Sequence, residues 1–399
     1  MTYTMFESLP ESQPDAILNL MEQFRADTRP NKIDLGVGIY KDSNGNTPVL
    51  AAVKKAEKQL LETQDTKAYV GPVGSRPFTA AMIEQVFGKD ANTDRIRGAQ
   101  SNGGTGALRI LADLIKDTRP NAAVWLSDPT WPNHLPVFKA SGVEMKTYPY
   151  YDAEKCAVQF DVMLDTLNGA KDGDVILLHG CCHNPTGADL SMAQWEQIAA
   201  LCAKKNLLPF VDLAYQGFGD GLEEDAASVR LLARELPELV VAASCSKNLG
   251  LYRERTGAAL LLAANASHAD RALGRLSLMI RSNYSMPPDH GANTTHLVMA
   301  DKELNALWRD ELETMRKRMI KNRQNFADAM RKRSNSDRFD YIAEQKGMFS
   351  RLPLSPDQIQ TLKDKHAIYI VGDGRINVAG LPEENIEGMA EAIASVISN

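Results

Sequence analysis

The stretch VVAASCSKNLGLYRERTG, residues 240–257, carries the residue best suited to covalent chemistry, Lys247. The Val, Ala and small residues before it read as a buried strand. Lysine is seldom taken inside a protein. Burial disfavours the ammonium, and the neutral amine that results can attack a carbonyl. Ser244 and Ser246 precede it, and Arg255 follows eight residues later. Small hydroxyls and a guanidinium suit a phosphate. An imine-forming amine beside phosphate donors describes a site for pyridoxal phosphate. The same residues also allow a plainer arrangement, a strand-end lysine whose ammonium reaches water.

Other residues have comparable double readings. Asp212 stands in PFVDLAY, a run apolar on both faces. Its buried carboxylate needs a partner. A protonated pyridine nitrogen would serve, keeping the ring an electron sink, and so would a structural arginine. Tyr215, three residues on, can offer a phenol to a ring oxygen. In QSNGGTGALRILADLIK, residues 100–116, the glycines around Gly104 and Thr105 lead into an amphipathic helix. Helix-start N–H groups are a ready anion site, although a plain glycine-rich entry reads the same way. The pattern is neither a dinucleotide fingerprint nor a Walker loop. Arg375 follows Gly372-Asp373-Gly374 at the start of an apolar strand. It suits either a bidentate carboxylate clamp or an inter-domain salt bridge. His179, Cys181, Cys182 and His183 suggest a metal, but adjacent cysteines on an extended chain point opposite ways and no second ligand cluster has zinc spacing. No metal is expected. Asn184, before Pro185, reads as a shaped turn that places an amide at a strand end.

These residues need strand ends to hold them. Apolar runs at 123–127, 143–151, 174–179 and 207–215, the lysine strand and TGAALLLAA alternate with helical segments near 192–205, 226–236 and 266–281. That alternation argues a parallel α/β sheet covered on both faces, with its site at the carboxyl ends of the strands. Trp131, Asn133 and His134 fall in the loop after the first of these strands, and Tyr69 in the loop KAYVGPVGSRP. Earlier, a helix is expected over 14–26, an extended DLGVGIYKD over 34–42 and a helix over 49–62. After Arg281 the composition changes. SNYSMPPDHG breaks the helix, a long charged helix runs over 302–332, and FDYIAEQ, GMFSRL and RINVAG read as strands, with helices near 356–365 and from 384. This is a smaller α+β domain, joined by the N-terminal arm.

Composition narrows the function class. The 399 residues are 44% hydrophobic and 24% charged, with a net charge of −6. These are ordinary globular values without the basic footprint of a nucleic-acid protein. Five cysteines, an odd number without disulfide spacing, suit a reducing compartment. The first residues lack signal-peptide blocks, and no apolar run nears the ~20 residues of a membrane helix. A soluble, cytoplasmic protein is expected.

Taken together, SCSKNLGLYRERTG, HGCCHNPTG, DLAYQGFGDGLEEDA, SDPTWPNH, GGTGALR and GRINVAG resemble the class I pyridoxal-phosphate-dependent aminotransferases of the aspartate/aromatic-amino-acid branch, over nearly the whole chain from about Pro14. The resemblance implies the transferase fold type I. A large cofactor domain (49–301) with a mostly parallel seven-stranded sheet is joined by a small α+β domain (302–399), and residues 1–48 form an arm and part of the small domain. It implies that Lys247 binds pyridoxal 5'-phosphate as an imine, that Asp212 pairs with the pyridine nitrogen, and that Asn184 and Tyr215 bind the ring oxygen. Ser244, Arg255, Gly104 and Thr105 would hold the phosphate, with Tyr69 from the second subunit of a homodimer. Trp131 would stack on the ring, and His134 would support Asp212. Arg375, with Asn184, Trp131 and the Gly38 backbone, would take the substrate α-carboxylate, and the partner's copy of Arg281 a distal carboxylate.

The implied activity is transfer of an amino group to 2-oxoglutarate in a ping-pong cycle between the pyridoxal and pyridoxamine forms, with Lys247 moving the proton. Aspartate-specific relatives usually carry Val at the place of Ile39 and Asn at that of Met286. The replacements make the mouth near Arg281 more apolar, which favours a dual aromatic (Tyr, Phe, Trp) and aspartate specificity over a strict aspartate enzyme. A lyase or decarboxylase of the same fold would not be expected to carry Arg281. A regulator's effector domain would need a DNA-binding module, for which the N-terminus has no room. A nicotinamide dehydrogenase lacks its fingerprint.

Overall fold

In the apolar runs, neighbouring side chains alternate between two cores. Val175 and Leu177 join one cluster, and Ile176 and Leu178 the other; Val240 and Ala242 oppose Val241 and Ala243 in the same way. Side chains of period two with both faces buried demand a continuously apolar strand. The computed structural model describes residues 6–11 and 16–397. Seven such strands, labelled in chain order, form its main sheet. They are β1 (Ile96–Asn102), β2 (Ala123–Asp128), β3 (Glu144–Pro149), β4 (Val175–His179), β5 (Leu208–Leu213), β6 (Leu239–Ser244) and β7 (Thr256–Leu262). Their lateral order is β1-β7-β6-β5-β4-β2-β3. Strand β7 runs antiparallel to both neighbours and every other pair is parallel, which makes the sheet mostly parallel as expected.

Helices Gly103–Thr118 and Ala266–Asn283 cover one face with Leu108, Leu111, Leu276 and Ile280. Helices Phe160–Leu167, Met192–Lys205 and Ala227–Glu235 cover the other, where Trp195 and Leu232 are buried. The carboxyl ends of β1, β2, β4, β5 and β6 lie along one edge, and Asn184, Asp212, Tyr215, Ser244 and Lys247 sit on or just beyond them.

The later elements gather on a 33-residue helix, Lys302–Ser334, capped by Asp301, whose carboxylate accepts the N–H groups of Glu303 and Leu304. Its Arg323 is buried and donates to the carbonyls of Ile342, Lys346, Gly347 and Phe349, tying down the chain that carries Phe349. Strand Phe349–Arg351 pairs antiparallel with Arg375–Asn377. Strand Ile33–Asp34 pairs parallel with Ile368–Tyr369, so the arm joins the last third of the chain.

The boundaries show where pattern misleads. FDYIAEQ is not a strand: Tyr341–Glu344 is a helical turn, and the buried residues of the stretch are Phe339, Ile342 and Gln345, spaced by three as a helix requires. RINVAG is extended only to Asn377 and then tightens into a 3₁₀ turn. The helix expected from Pro14 begins at Ala16 among the described residues, and Pro14 lies outside them. Helices Arg76–Phe87 and His290–Ala300 had no sequence signal strong enough to read. Among the described residues no helix is long and apolar enough to cross a membrane.

Candidate active site

A cavity of about 210 Å³ opens where the strands end. Strand β5 delivers Asp212 to its floor, 7% exposed, and the turn after it delivers Tyr215. The loop after β6 brings Lys247, whose Nζ lies 4.8 Å from the centre of the Tyr215 ring. Burial pushes the Lys247 amine down to about 8, with the Asp212 carboxylate opposing and Arg255 adding to the fall. About a tenth of that amine is therefore neutral and nucleophilic at pH 7, several hundred-fold more than for an ordinary lysine. Burial pushes the Asp212 carboxyl up, but the hydrogen bond from His134 and the nearby positive groups outweigh it and hold the group below its ordinary value. Asp212 stays an anion.

Its ionisation is supported by an ordered chain of hydrogen bonds. The Asn184 backbone N–H, which can only donate, lies 3.4 Å from His179 Nδ1. That nitrogen must accept, so His179 Nε2 carries the proton and donates to Thr130 Oγ1 at 3.2 Å. The Thr130 hydroxyl then donates to His134 Nδ1 at 2.8 Å, and His134 Nε2–H donates to Asp212 Oδ2 at 3.0 Å. The tautomers follow from the donors rather than from observed hydrogens. Burial pushes His179 down to about 3, which keeps it neutral.

Opposite this floor lies a set of anion donors. Helix Gly103–Thr118 begins at the cavity and presents Gly104 and Thr105. A Cβ on Gly103 would come within 2.6 Å of Arg255 Nη2, and one on Gly104 within 3.1 Å of Ser244 Cβ, so only glycine lets these groups converge. Ser244 and Ser246 line the same end. Arg255 holds a left-handed backbone, φ 52°, and donates to the Tyr252 carbonyl at 3.0 Å. No carboxylate pairs with it among the described residues. A helix N-terminus, two hydroxyls and an unpaired guanidinium fit a phosphate.

Behind Asn184 of the lining lies Arg375, 4% exposed. Nη1 donates to Asn184 Oδ1 at 3.4 Å and Nη2 to the Gly36 carbonyl at 2.8 Å, while buried Nε has no partner. Its guanidinium lies 4.6 Å from the Phe349 ring centre. The salt-bridge alternative finds no carboxylate on this side chain among the described residues. A buried cation with an unused N–H is instead ready for a small anion. Asn184 also donates through Nδ2 to the Tyr215 hydroxyl at 3.4 Å. Trp131 and Gly38 complete the lining.

Two expected residues do not reach the cavity within this chain. Tyr69 is 93% exposed. Arg281 is exposed at the end of its helix and donates to Ser285 Oγ. Thr130, Tyr252 and Leu108 belong to the site or its support and were not singled out in sequence, and His179 was weighed only as a metal ligand. Thr130 and Tyr252 lie inside quoted motifs, which is the signal they gave. The cysteines correct one expectation. Cys182 is left-handed, φ 51°, so the chain is not extended there, and both thiols lie with Asp225 in one buried group. The Asp225 oxygens already accept N–H groups from Gly217, Gly219 and Asp220, and burial pushes the Cys182 thiol up to about 11. That donor set is committed to structure.

The aminotransferase class I and II profile matches residues 30–393. The chain belongs to this family. It is 48% identical to the aromatic-amino-acid aminotransferase of Paracoccus denitrificans, over 98% of this chain and 100% of that one. Identity is 46% with the aspartate aminotransferase of Escherichia coli (strain K12), over the same shares. An aromatic-amino-acid aminotransferase from Burkholderia pseudomallei, solved covalently bound to pyridoxal phosphate, superimposes with a TM-score of 0.97 at 41% identity, over 99% of this chain and 100% of that one. The chain is a pyridoxal-phosphate-dependent aminotransferase of fold type I. Its donor set fits the cofactor: an amine, an opposed carboxylate and phosphate donors at the far end of one cavity.

Proposed function

We propose that this aminotransferase moves the amino group of an aromatic amino acid or aspartate to 2-oxoglutarate, in two half-reactions with ping-pong kinetics. The observation that carries the reading is Arg375, a buried guanidinium without a counter-ion among the described residues, hydrogen-bonded to Asn184 of the cavity lining. It accepts the α-carboxylate that every amino acid and oxo acid shares, and it positions rather than reacts. When bound, pyridoxal phosphate supplies an electrophilic carbon and an electron-accepting ring. Lys247 Nζ would hold the group covalently and, once displaced by the substrate amine, would carry the proton from the substrate α-carbon to the far end of the electron-accepting system rather than back to the carbon it left. Asp212 keeps a negative charge opposite the ring nitrogen, and His134 holds that charge in place. Asn184 and Tyr215 donate to the ring oxygen, Trp131 covers the ring, and Gly104, Thr105, Ser244 and Arg255 bind the phosphate.

The full site is that of a homodimer. The exposure of Tyr69 and Arg281 supports this, since both have their implied roles across a subunit boundary. Tyr69 of the second subunit adds a phosphate donor, and Arg281 of that subunit meets a distal carboxylate. A division at residues 48 and 301, with the arm belonging to the small domain, is part of the same reading. The pairing of Ile33–Asp34 with Ile368–Tyr369 supports it. So is a cytoplasmic location.

A strict aspartate enzyme is the second reading, favoured by one observation. Arg281 is anchored by Ser285 of its own chain even with Met286 beside it, so the loss of an amide there does not by itself free the guanidinium. Single-turnover rates with phenylalanine and with aspartate decide between the two. A methylene-scale difference in a pocket gives ~10–200-fold discrimination. A preference for aspartate beyond ~10³-fold ends the aromatic reading.

A further inference from the structure

The segment Gly36–Lys41 forms one side of the cavity mouth, with Gly38 in its lining. Almost all of its long-range hydrogen bonds go to the last third of the chain. Arg375 donates to the Gly36 carbonyl, Asn377 Nδ2 to those of Val37 and Ile39, and Arg318 Nη1 to that of Lys41, at 2.7–2.8 Å. Among the described residues one bond goes the other way. The Tyr40 backbone N–H donates to the Tyr252 hydroxyl at 2.8 Å. The Tyr40 ring also rests near Phe218, centroids 6.3 Å apart, but that contact is undirected.

Tyr252 sits five residues after Lys247 and three before Arg255, and its own carbonyl accepts from Arg255 Nη1. The phenol lines the cavity, and burial pushes it up to about 12, so it stays protonated. A continuous set of bonds therefore runs from Arg255 through Tyr252 to Tyr40, along four residues of backbone to Gly36, and from there to Arg375. One end is the cation suited to a phosphate and the other the cation suited to a carboxylate.

We propose that the Tyr252 hydroxyl is a positioning latch that fixes the mouth segment Gly36–Tyr40 against the lysine loop and so sets the affinity for substrate. The proposal rests on the reading of Arg375 as the carboxylate site. Tyr252 touches no reacting atom in this role. It acts on the position of Gly36, and through Gly36 on the guanidinium. Breaking it lowers the fraction of molecules with the mouth in its binding arrangement, and apparent affinity falls by that fraction. A loss shared by ground state and transition state raises KM and leaves kcat alone.

Tyr252→Phe removes the hydroxyl and keeps the ring. Its melting temperature and its uptake of pyridoxal phosphate should match the parent. Hydrogen exchange of the peptide containing Tyr40 should be ~3–10-fold faster, the scale of one neutral hydrogen bond, in cofactor-free and loaded protein alike, while the Arg375–Asn377 strand keeps its protection. KM should rise by the same ~3–10-fold for phenylalanine and for aspartate, with kcat within about twofold. Unchanged exchange at Tyr40, or a kcat that falls at constant KM, overturns the latch. If the parent binds no pyridoxal phosphate, the functional reading fails by itself, and the cofactor-free exchange measurement decides the Tyr252 contact alone.

Discussion

Asp212 and Gly38 line the same cavity on very different foundations. Asp212 lies in a strand paired on both sides, and its carboxylate ends a directed chain of four hydrogen bonds. Gly38 lies in a segment without regular structure, tied to the lysine loop by a single bond. Arg281, which the mouth would also need, and Tyr69, assigned to the phosphate, are exposed and do not line the cavity within this chain. The chemical floor is thus built by one chain and fixed by its sheet. The mouth is assembled from a segment without regular strands, held by side chains from the last third of the chain, and, on our proposal, a second subunit. A fold organised in this way can keep one reaction and vary its substrate.

Substitutions in the floor should be severe and indifferent to substrate. Lys247→Ala removes both the nucleophile and the proton carrier. Proton transfer alone is worth ~10²–10⁴, so the half-reaction rate should fall by at least ~10⁴-fold with every amino acid, and the absorbance band of the lysine-bound cofactor should vanish. Asp212→Asn keeps a side chain of the same shape but cannot oppose a cation. Losing one member of a buried charge pair costs about 3–5 kcal/mol, or ~10³-fold in kcat, again equally for phenylalanine and aspartate. A loss confined to one substrate would place Asp212 in recognition and break the division between floor and mouth.

The two arginines test the division directly. Arg375→Lys keeps the charge but loses the planar fork, and kcat/KM should drop ~10²-fold for both substrates. Arg281→Ala should cost aspartate ~30-fold or more and phenylalanine less than ~3-fold. Equal losses for both substrates would remove Arg281 from the distal-carboxylate role. Next in size is a pH effect. The Lys247 amine sits near 8 in the cofactor-free protein, and only its neutral form reacts. Cofactor uptake should therefore climb roughly tenfold per pH unit below about 8 and level off above it. Stopped-flow mixing with pyridoxal phosphate measures this, and a rate that still climbs about tenfold per unit above about pH 9 contradicts the burial of the amine.

The same contrast explains what could be read from sequence. Lys247 and Asp212 stood out because a charge in an apolar run is costly and needs a reason. Most of the sheet was legible because both of its faces are covered, which writes continuous hydrophobicity into β2, β4, β5, β6 and β7, whereas β1, reading IRGAQSN, carries no such run and was not read as a strand. Phe339–Gln345 failed because seven residues carry too few repeats to separate a period of two from one of three. The cysteine pair was misread because the left-handed backbone at Cys182 has no mark in a non-glycine residue. Arg281 and Tyr69 were assigned roles only by resemblance. Nothing local says that an exposed side chain is wanted by another subunit.

Thr130 was invisible for a related reason, and it gives the finest test. A loop threonine is ordinary, and its importance lies in lending one hydroxyl to two histidines. Thr130→Val keeps the shape and removes the relay. His179 then donates to nothing, and His134 Nδ1 loses the proton donor that made Nε2 the protonated nitrogen. Asp212 still favours a proton on Nε2, so the chain should loosen rather than reverse. The expected loss is small, ~3–10-fold in kcat for both substrates, the scale of one neutral hydrogen bond. Nitrogen NMR of the imidazoles should show the His134 Nδ1 resonance shifted while Nε2 keeps its proton. A loss for one substrate only would mean that the relay reaches the mouth. No loss and no shift would mean that Asp212 alone orders His134.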